Sequence, residues 1–387
     1  MVQAVQLETG EICDRRVCCH CHNPLPSGYG RNTVKFISVI GVTGSGKTVY
    51  LSQLLKGINQ YMARVGLAVH DTNASAGNFV RQNMIKEGVP FPGSTPAGRL
   101  QQPLFFDVTR STSESTHSTE TFVLYDVAGE LFDPQKFNPS QLSRFAPFIR
   151  NSDGIILLID PSQFSAFNLV AGKINDQETQ QALTGIYNMV VDGGGDSKCE
   201  KPLAVCISKM DEPAVQQALP SEELRIKISS EVQPIKDEKG NPLPLFNVED
   251  YNPISDELSK FFRNQESSLV VNLRANYKRY CYFGLTSLGC EIGENDNNQK
   301  YPIGPIIPKR IEEPLLWLLY EFGYIGKKPG CQIHIDGVDI IKCPNPNCGG
   351  EDYEIRVKTK GILMFKRTYK YKHCNSCEHD WDEQEIR

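Results

Sequence analysis

The sequence predicts a three-layer α/β fold with a mostly parallel sheet, joined to small cysteine-rich β modules. Three observations carry this expectation. Short β-branched or aromatic runs alternate with helical patterns across residues 31–328. A glycine-rich turn lies between the first such run and the first amphipathic helix. Cysteine pairs gather at the two ends of the chain, outside the alternation.

Taken in order, residues 1–30 form a short Cys/His-rich segment punctuated by Pro and Gly. Thr33–Ile40 is β-branched and apolar, as a buried parallel strand should be. Lys47 to Met62 follows as a helix with Leu51, Leu54, Leu55, Ile58 and Met62 on one face. Further strands are expected at Pro103–Val108, Thr121–Asp126, Gly154–Asp160, Leu203–Ser208 and Tyr280–Leu285. Two polar stretches, Asp71–Gln102 and Asp237–Asp256, read as long loops. Residues 331–387 form the last unit, with Asp352 to Lys372 reading as a β-hairpin between cysteine pairs.

Composition narrows the function. The chain has 387 residues, a hydrophobic fraction of 40% and a formal net charge of −5, which excludes whole-chain disorder and a uniformly basic polymer binder. The longest strictly apolar run, Ile155–Ile159, is far short of the ~20 residues of a bilayer span, so no membrane partner is expected. Thirteen cysteines without a secretory leader fit a reducing cytoplasm with metal-bound thiolates better than a disulfide framework.

Gly41-Val42-Thr43-Gly44-Ser45-Gly46-Lys47-Thr48 is a complete G-x-x-x-x-G-K-[ST] match between a strand and a helix, the signature of a P-loop NTPase. Its glycines let backbone N–H groups turn toward an anionic phosphate, and the helix N-terminus adds its dipole. Lys47 is expected to neutralise the β- and γ-phosphates and Thr48 to ligate Mg²⁺. Asp126, at the end of the strand FVLY, is a natural Mg²⁺ partner; Gly129 offers a backbone N–H to the γ-phosphate. Ser208-Lys209-Met210-Asp211 has the shape of the [NT]-K-x-D guanine reader, with Ser208 where Asn or Thr is usual. Asp211 would accept from two guanine N–H groups that adenine lacks, and Lys209 would lie over the base. Thr286, Ser287 and Leu288, with Gly289, occupy the slot in which a backbone N–H meets guanine O6.

The ordered series GVTGSGKT, DVAGE, SKMD and TSLG resembles GTPases of the translation-factor-related (TRAFAC) class. The pieces VPFPGSTPAG, SDGIILLIDP, YFGLTSLG and KRIEEPLLWLL are similar to the bacterial "double-GTPase"-type domains of conflict and defence systems. The resemblance covers roughly residues 33–322 and implies Mg²⁺-dependent GTP binding and hydrolysis with mobile switch loops. The interval from Thr48 to Asp126 is longer than in small GTPases, so the first switch is expanded. Thr95 is the expected magnesium-sensing threonine, with Thr72, Thr109 and Thr112 as rivals. Glu130 stands where a water-orienting Gln is common, and either assists catalysis or caps a helix. Arg99 and Arg144 are unsupported candidates for an arginine finger.

Cys343, Cys348, Cys374 and Cys377 have the spacing of a zinc ribbon, four thiolates closing one tetrahedral structural site. A unit this small needs the folding energy that Zn²⁺ supplies. Cys18 and Cys21 form half of a second candidate zinc site, completed by Cys13 and His22 or by Cys331 and His334. Arg356 to Lys372 interleaves basic and aromatic residues, a candidate nucleic-acid contact or a protein docking face. The expected activity is slow hydrolysis of GTP to GDP and phosphate by a regulatory switch that takes guanine nucleotide and a protein effector. The rivals are an ATPase on the same phosphate site and a non-hydrolysing, nucleotide-bound scaffold.

Overall fold

In a computed structural model of the chain, the described residues are 4–5, 12–13, 16–17, 24–25, 30–42, 44–70, 74–93, 103–113, 116–132, 146–164, 177–191, 197–264, 268–335, 338–339, 345, 353–360, 367–374 and 377–386. The chain divides into two compact units, Met1–Cys331 and Gln332–Arg387.

The first unit is built on a seven-stranded sheet. Its strands are β1 (Thr33–Gly41), β2 (Leu67–His70), β3 (Leu104–Ser113), β4 (Thr116–Val127), β5 (Gly154–Ile159), β6 (Leu203–Ile207) and β7 (Tyr280–Gly284), in the order β7-β6-β5-β1-β4-β3-β2. Pairings from β7 through β4 are parallel. β3 runs antiparallel to β4, and β2 to β3. The expected mostly parallel sheet is therefore present, with an antiparallel edge. The two short strands expected at 103–108 and 121–126 extend toward each other, and so short a connection dictates an antiparallel pair. Strands β5, β6 and β7 are buried along their whole length, which is why they read as unbroken apolar runs.

Helices flank the sheet: α1 (Lys47–Arg64), α2 (Ser75–Gln82), α3 (Gln177–Val190), α4 (Pro213–Ala218), α5 (Glu222–Ser229), α6 (Val248–Asn264), α7 (Ser268–Asn276) and α8 (Glu313–Glu321). Leu51, Leu54, Leu55, Ile58 and Met62 of α1 are all buried, as their spacing predicts. Both polar stretches read as loops are corrected in part. α2 occupies Ser75–Gln82, and α6 begins at Val248. In α6, Val248, Tyr251, Ile254 and Leu258 are buried, and the Tyr251 hydroxyl donates to the Tyr282 carbonyl of β7 (3.1 Å). Glu249, Asp250 and Asn252 between them, and Pro253 inside the helix, hide the 3.6-residue period in the sequence.

The chain leaves β1 to build β2, β3 and β4, then returns to build β5, β6 and β7. A crevice at the carboxyl ends of β1, β4 and β5 is the expected ligand position in such a sheet. Cys199, Cys206 and Cys281 are buried core thiols, while Cys290 is only half-buried.

The second unit carries a three-stranded antiparallel sheet, β10 (Tyr353–Lys360), β11 (Arg367–Cys374) and β12 (Asp380–Ile386), with β11 central. In the first unit, beyond β7, β8 (Glu291–Glu294) and β9 (Lys300–Ile303) pair as an antiparallel hairpin. The hairpin expected between the cysteine pairs is thus β10–β11, and β12 adds a third strand.

Candidate functional site

The glycine-rich turn leaves the end of β1 and enters α1. Val42 N–H donates to the Leu158 carbonyl (3.3 Å) and Ser45 N–H to the Val42 carbonyl (3.0 Å). Gly44 and Gly46 have φ of 80° and 77°, left-handed values that a side chain resists. At Gly41 an added Cβ would lie 2.8 Å from Cβ of Lys47, so the turn folds tightly on itself. The N-cap of α1 is Gly46, which has no side chain to offer its first N–H groups, and the first turn holds no acid. The Ser45 hydroxyl is buried with no hydrogen-bond partner among the described residues. Thr43 lies outside the described residues.

Lys47 projects from the first turn of α1 to Asp126 near the end of β4, and the two form a buried ion pair. Burial pushes the Lys47 ammonium down to about 7. An anion beside it is what favours the charged form. Thr48 is half-buried on the next position of the helix. Gly129 begins a short 3₁₀ turn, Gly129–Phe132, and a Cβ there would collide with the Gly41 carbonyl oxygen. The D-x-x-G turn therefore packs directly on the root of the phosphate loop. Glu130 is half-buried in that turn.

The base-reading candidates also converge. The Ser208 hydroxyl donates to the Ile159 carbonyl (2.9 Å), so this serine does tie down the turn after β6. Gly289 N–H donates to Asp211 Oδ2 (3.1 Å). Burial pushes the Asp211 carboxyl up, while the Gly289 N–H and the Thr286 hydroxyl pull it down. Thr286 and Lys309 exchange backbone hydrogen bonds (3.0 and 2.8 Å), and Ile307 N–H donates to the Leu288 carbonyl (2.7 Å). Ser287 and Leu288 are half-buried in this loop. The Lys209 ammonium lies on Asp160 Oδ2 (2.7 Å).

Several supporting residues escaped the sequence reading. Arg310, next to Lys309, is fully buried; it pairs with Glu313 and with Asp250 (2.9 Å). That cluster anchors the segment KRIEE and, through Lys309, the base loop. Its only sequence signal is a run of charges entering an apolar helix. The β8–β9 hairpin holds the stretch that leads toward Thr95. Gly88 N–H donates to the Pro302 carbonyl (2.9 Å), Phe91 N–H to the Lys300 carbonyl (3.0 Å) and Gly304 N–H to Glu87 (3.1 Å). Thr95 and Thr72 lie outside the described residues, as do Arg99 and Arg144. Thr109 sits in β3 bonded to Thr119 (2.9 Å). Thr112 lies in the same strand.

In the second unit Cys374 is buried and Cys377 half-buried. Glu378 N–H donates to the Cys374 carbonyl (2.9 Å). The Asn345 amide reaches Cys377 Sγ (3.6 Å). Cys343 and Cys348, which flank Asn345, lie outside the described residues, as do Cys18 and Cys21. Among the described residues no group of three or more His, Cys, Asp or Glu gathers as a metal site. On the basic strip, Arg356 is exposed and the Lys358 ammonium sits 4.2 Å over the Tyr371 ring.

The match to the Double-GTPase 2 family covers residues 35–258, more than half of the chain. The chain belongs to this family. The double-GTPase part of the resemblance read from the sequence is thereby borne out. A curated relative, the putative ESX-1 scaffolding and assembly protein SaeC of Mycolicibacterium smegmatis, is 25% identical over 212 residues. The alignment covers 50% of this Double-GTPase 2 chain and 51% of SaeC, so the chain spans about half the length of that relative. Among solved structures, the S. cerevisiae Ski7 GTPase-like domain bound to GTP is similar at 13% identity. That match has a TM-score of 0.33 and covers 89% of this chain and 59% of that one. Sup35 complexed with GDP is similar at 14% identity with a TM-score of 0.27, covering 89% and 53% respectively. Among the described residues no helix is long and apolar enough to cross a membrane.

Proposed function

We propose that the chain binds GTP and GDP with Mg²⁺ and hydrolyses GTP slowly to GDP and phosphate, as a regulatory switch. The observation that carries this reading is the buried Lys47–Asp126 pair beneath an uncapped helix N-terminus, beside the unpartnered Ser45 hydroxyl. A triphosphate offers acceptors to all three donors: the helix N–H groups, the Ser45 hydroxyl and the Lys47 ammonium. Thr48 and Asp126 would hold Mg²⁺, whose contribution when bound is to neutralise charge on the phosphates.

Lys47 then moves its charge from Asp126 to the phosphates, and Gly129 presents its N–H toward the terminal one. A water oxygen bonds to the γ-phosphorus as the bond to the β–γ bridging oxygen breaks, and the water's proton passes to an oxygen of the released phosphate. The chain's part is positioning and charge stabilisation. Thr95 is the proposed switch residue, and Glu130, directly after Gly129, is the proposed residue to orient the attacking water. Asp211 reads the purine edge, with Thr286, Ser287 and Leu288 closing the loop around it. In the second unit, Cys374 and Cys377 with Cys343 and Cys348 would hold structural Zn²⁺; the contact of the Asn345 amide with Cys377 Sγ supports this reading, Asn345 standing between Cys343 and Cys348 in the sequence.

The test is nucleotide binding and phosphate release by the full chain, against Lys47→Ala. GTP-dependent phosphate release well above that variant supports hydrolysis. Equal release by both rejects it and favours a second reading, a nucleotide-bound scaffold. Two observations favour that second reading: Glu130 in the usual place of Gln, and the scaffolding description of SaeC. Metal analysis of the purified chain should find zinc, and its absence would reject the ribbon.

A further inference from the structure

We propose that Asp160 is a positioning residue that fastens the base-reading turn to the phosphate loop, coupling the grip on phosphate to the choice of purine. The proposal deepens the guanine-nucleotide reading above and rests on it. Asp160 follows the last residue of β5 and is buried. Its two carboxylate oxygens have separate tasks. Oδ1 accepts from Ser162 N–H (2.9 Å), capping the short turn Pro161–Gln163. Oδ2 accepts from the Lys209 ammonium (2.7 Å). The same Oδ2 lies 3.1 Å from the point that a Cβ on Gly44 would occupy, so the carboxylate rests against the phosphate loop.

A plain turn cap would need Oδ1 alone. The second oxygen reaches a lysine whose backbone is itself unusual: Lys209 has φ of 55°, left-handed for a residue with a full side chain. Such a conformation persists only where neighbours over-determine it. Here they do so from two sides. The residue before it is bonded twice to Ile159, through Ser208 N–H (3.1 Å) and the Ser208 hydroxyl (2.9 Å). Its ammonium is held by Asp160, the next residue after Ile159. Two residues on, Asp211 is presented toward Gly289. Releasing the ammonium frees the left-handed turn to relax, and Asp211 moves with it. Gly44, Asp160, Lys209 and Asp211 thus form one chain of contacts from the phosphate end of the crevice to its purine end.

The experiment uses the full chain with Mg²⁺ and fluorescent GDP and ADP analogues, comparing wild type, Asp160→Asn, Asp160→Ala, Lys209→Ala and the Asp160→Asn/Lys209→Ala double variant. Asp160→Asn keeps shape and one acceptor oxygen but removes the charge, so it guards against a variant that merely fails to fold. A charge-assisted hydrogen bond is at stake, so the expected loss of GDP affinity is about tenfold to a hundredfold. The preference for GDP over ADP should narrow with it. The double variant should bind GDP no more weakly than Lys209→Ala, because both substitutions break one link. Wild-type affinity in Asp160→Asn would overturn the proposal. So would losses that multiply in the double variant, or a weaker chain with its GDP-over-ADP preference intact, which is the mark of a turn cap. A wild-type chain that binds no guanine nucleotide would overturn the proposed function and this inference together, whereas an inert Asp160→Asn beside a GDP-binding wild type overturns this inference alone.

Discussion

The two ends of the crevice are built on different principles. The phosphate end is mostly backbone, with glycines at left-handed φ and a helix whose N-cap is Gly46, joined by one buried side-chain ion pair between Lys47 and Asp126. The purine end is held through carboxylates: Asp211 accepts from the Gly289 backbone N–H, and Asp160 accepts from the Lys209 ammonium. Backbone N–H groups recognise any polyphosphate, so that end supplies affinity without choice. Choice requires buried acceptors that lose their partners when the wrong base enters. The difference teaches that substitutions away from the Asp160 link should damage one function and spare the other.

The largest effect is expected at the phosphate end. Lys47→Ala should lower GTP and GDP affinity by about a hundredfold or more by calorimetry. It should also destabilise the fold by roughly 3 kcal/mol, because Asp126 is left buried without its cation. Equal GTP affinity in this variant would break the comparison at its root. Asp211→Asn comes next. Guanine nucleotides should weaken by about tenfold to a hundredfold and xanthosine nucleotides should gain, since xanthine presents a carbonyl where guanine has its amino group. Adenine and guanine nucleotides weakening alike would show that Asp211 does not read the base.

Gly129→Ala should act on the terminal phosphate alone. The added methyl forces the turn off the Gly41 carbonyl, so the preference for GTP over GDP should fall by about tenfold with GDP binding unchanged. The smallest effect is at Ser208→Ala, which removes one buried hydrogen bond to Ile159. About 1 kcal/mol of stability should be lost, a fall in Tm of roughly 2–4 °C by thermal melting, with phosphate contacts intact.

The same contrast explains what could be read in advance. The phosphate end was legible because its residues are contiguous and each type has one physical reason to be there. Strands β5 to β7 were legible because burial on both faces writes an unbroken apolar run. The purine end was legible only where it falls on a strand tip, at Ser208–Asp211. Asp160 passed as the end of a strand, and Arg310 as one charge among several; their partners, Lys209 and Asp250, are distant in sequence, and no local pattern encodes such a pairing. Helix α6 was read partly as loop because its acids and Pro253 fall among the buried positions. In the second unit, the β10–β11 pair was legible as the stretch between two cysteine pairs, whereas β12, rich in acids, was not.

Titration of the full chain with GDP and with ADP, each with Mg²⁺, tests the central claim most directly. The account predicts that GDP binds about a hundredfold or more tightly than ADP. Equal affinity for the two, or no binding of either, would contradict it.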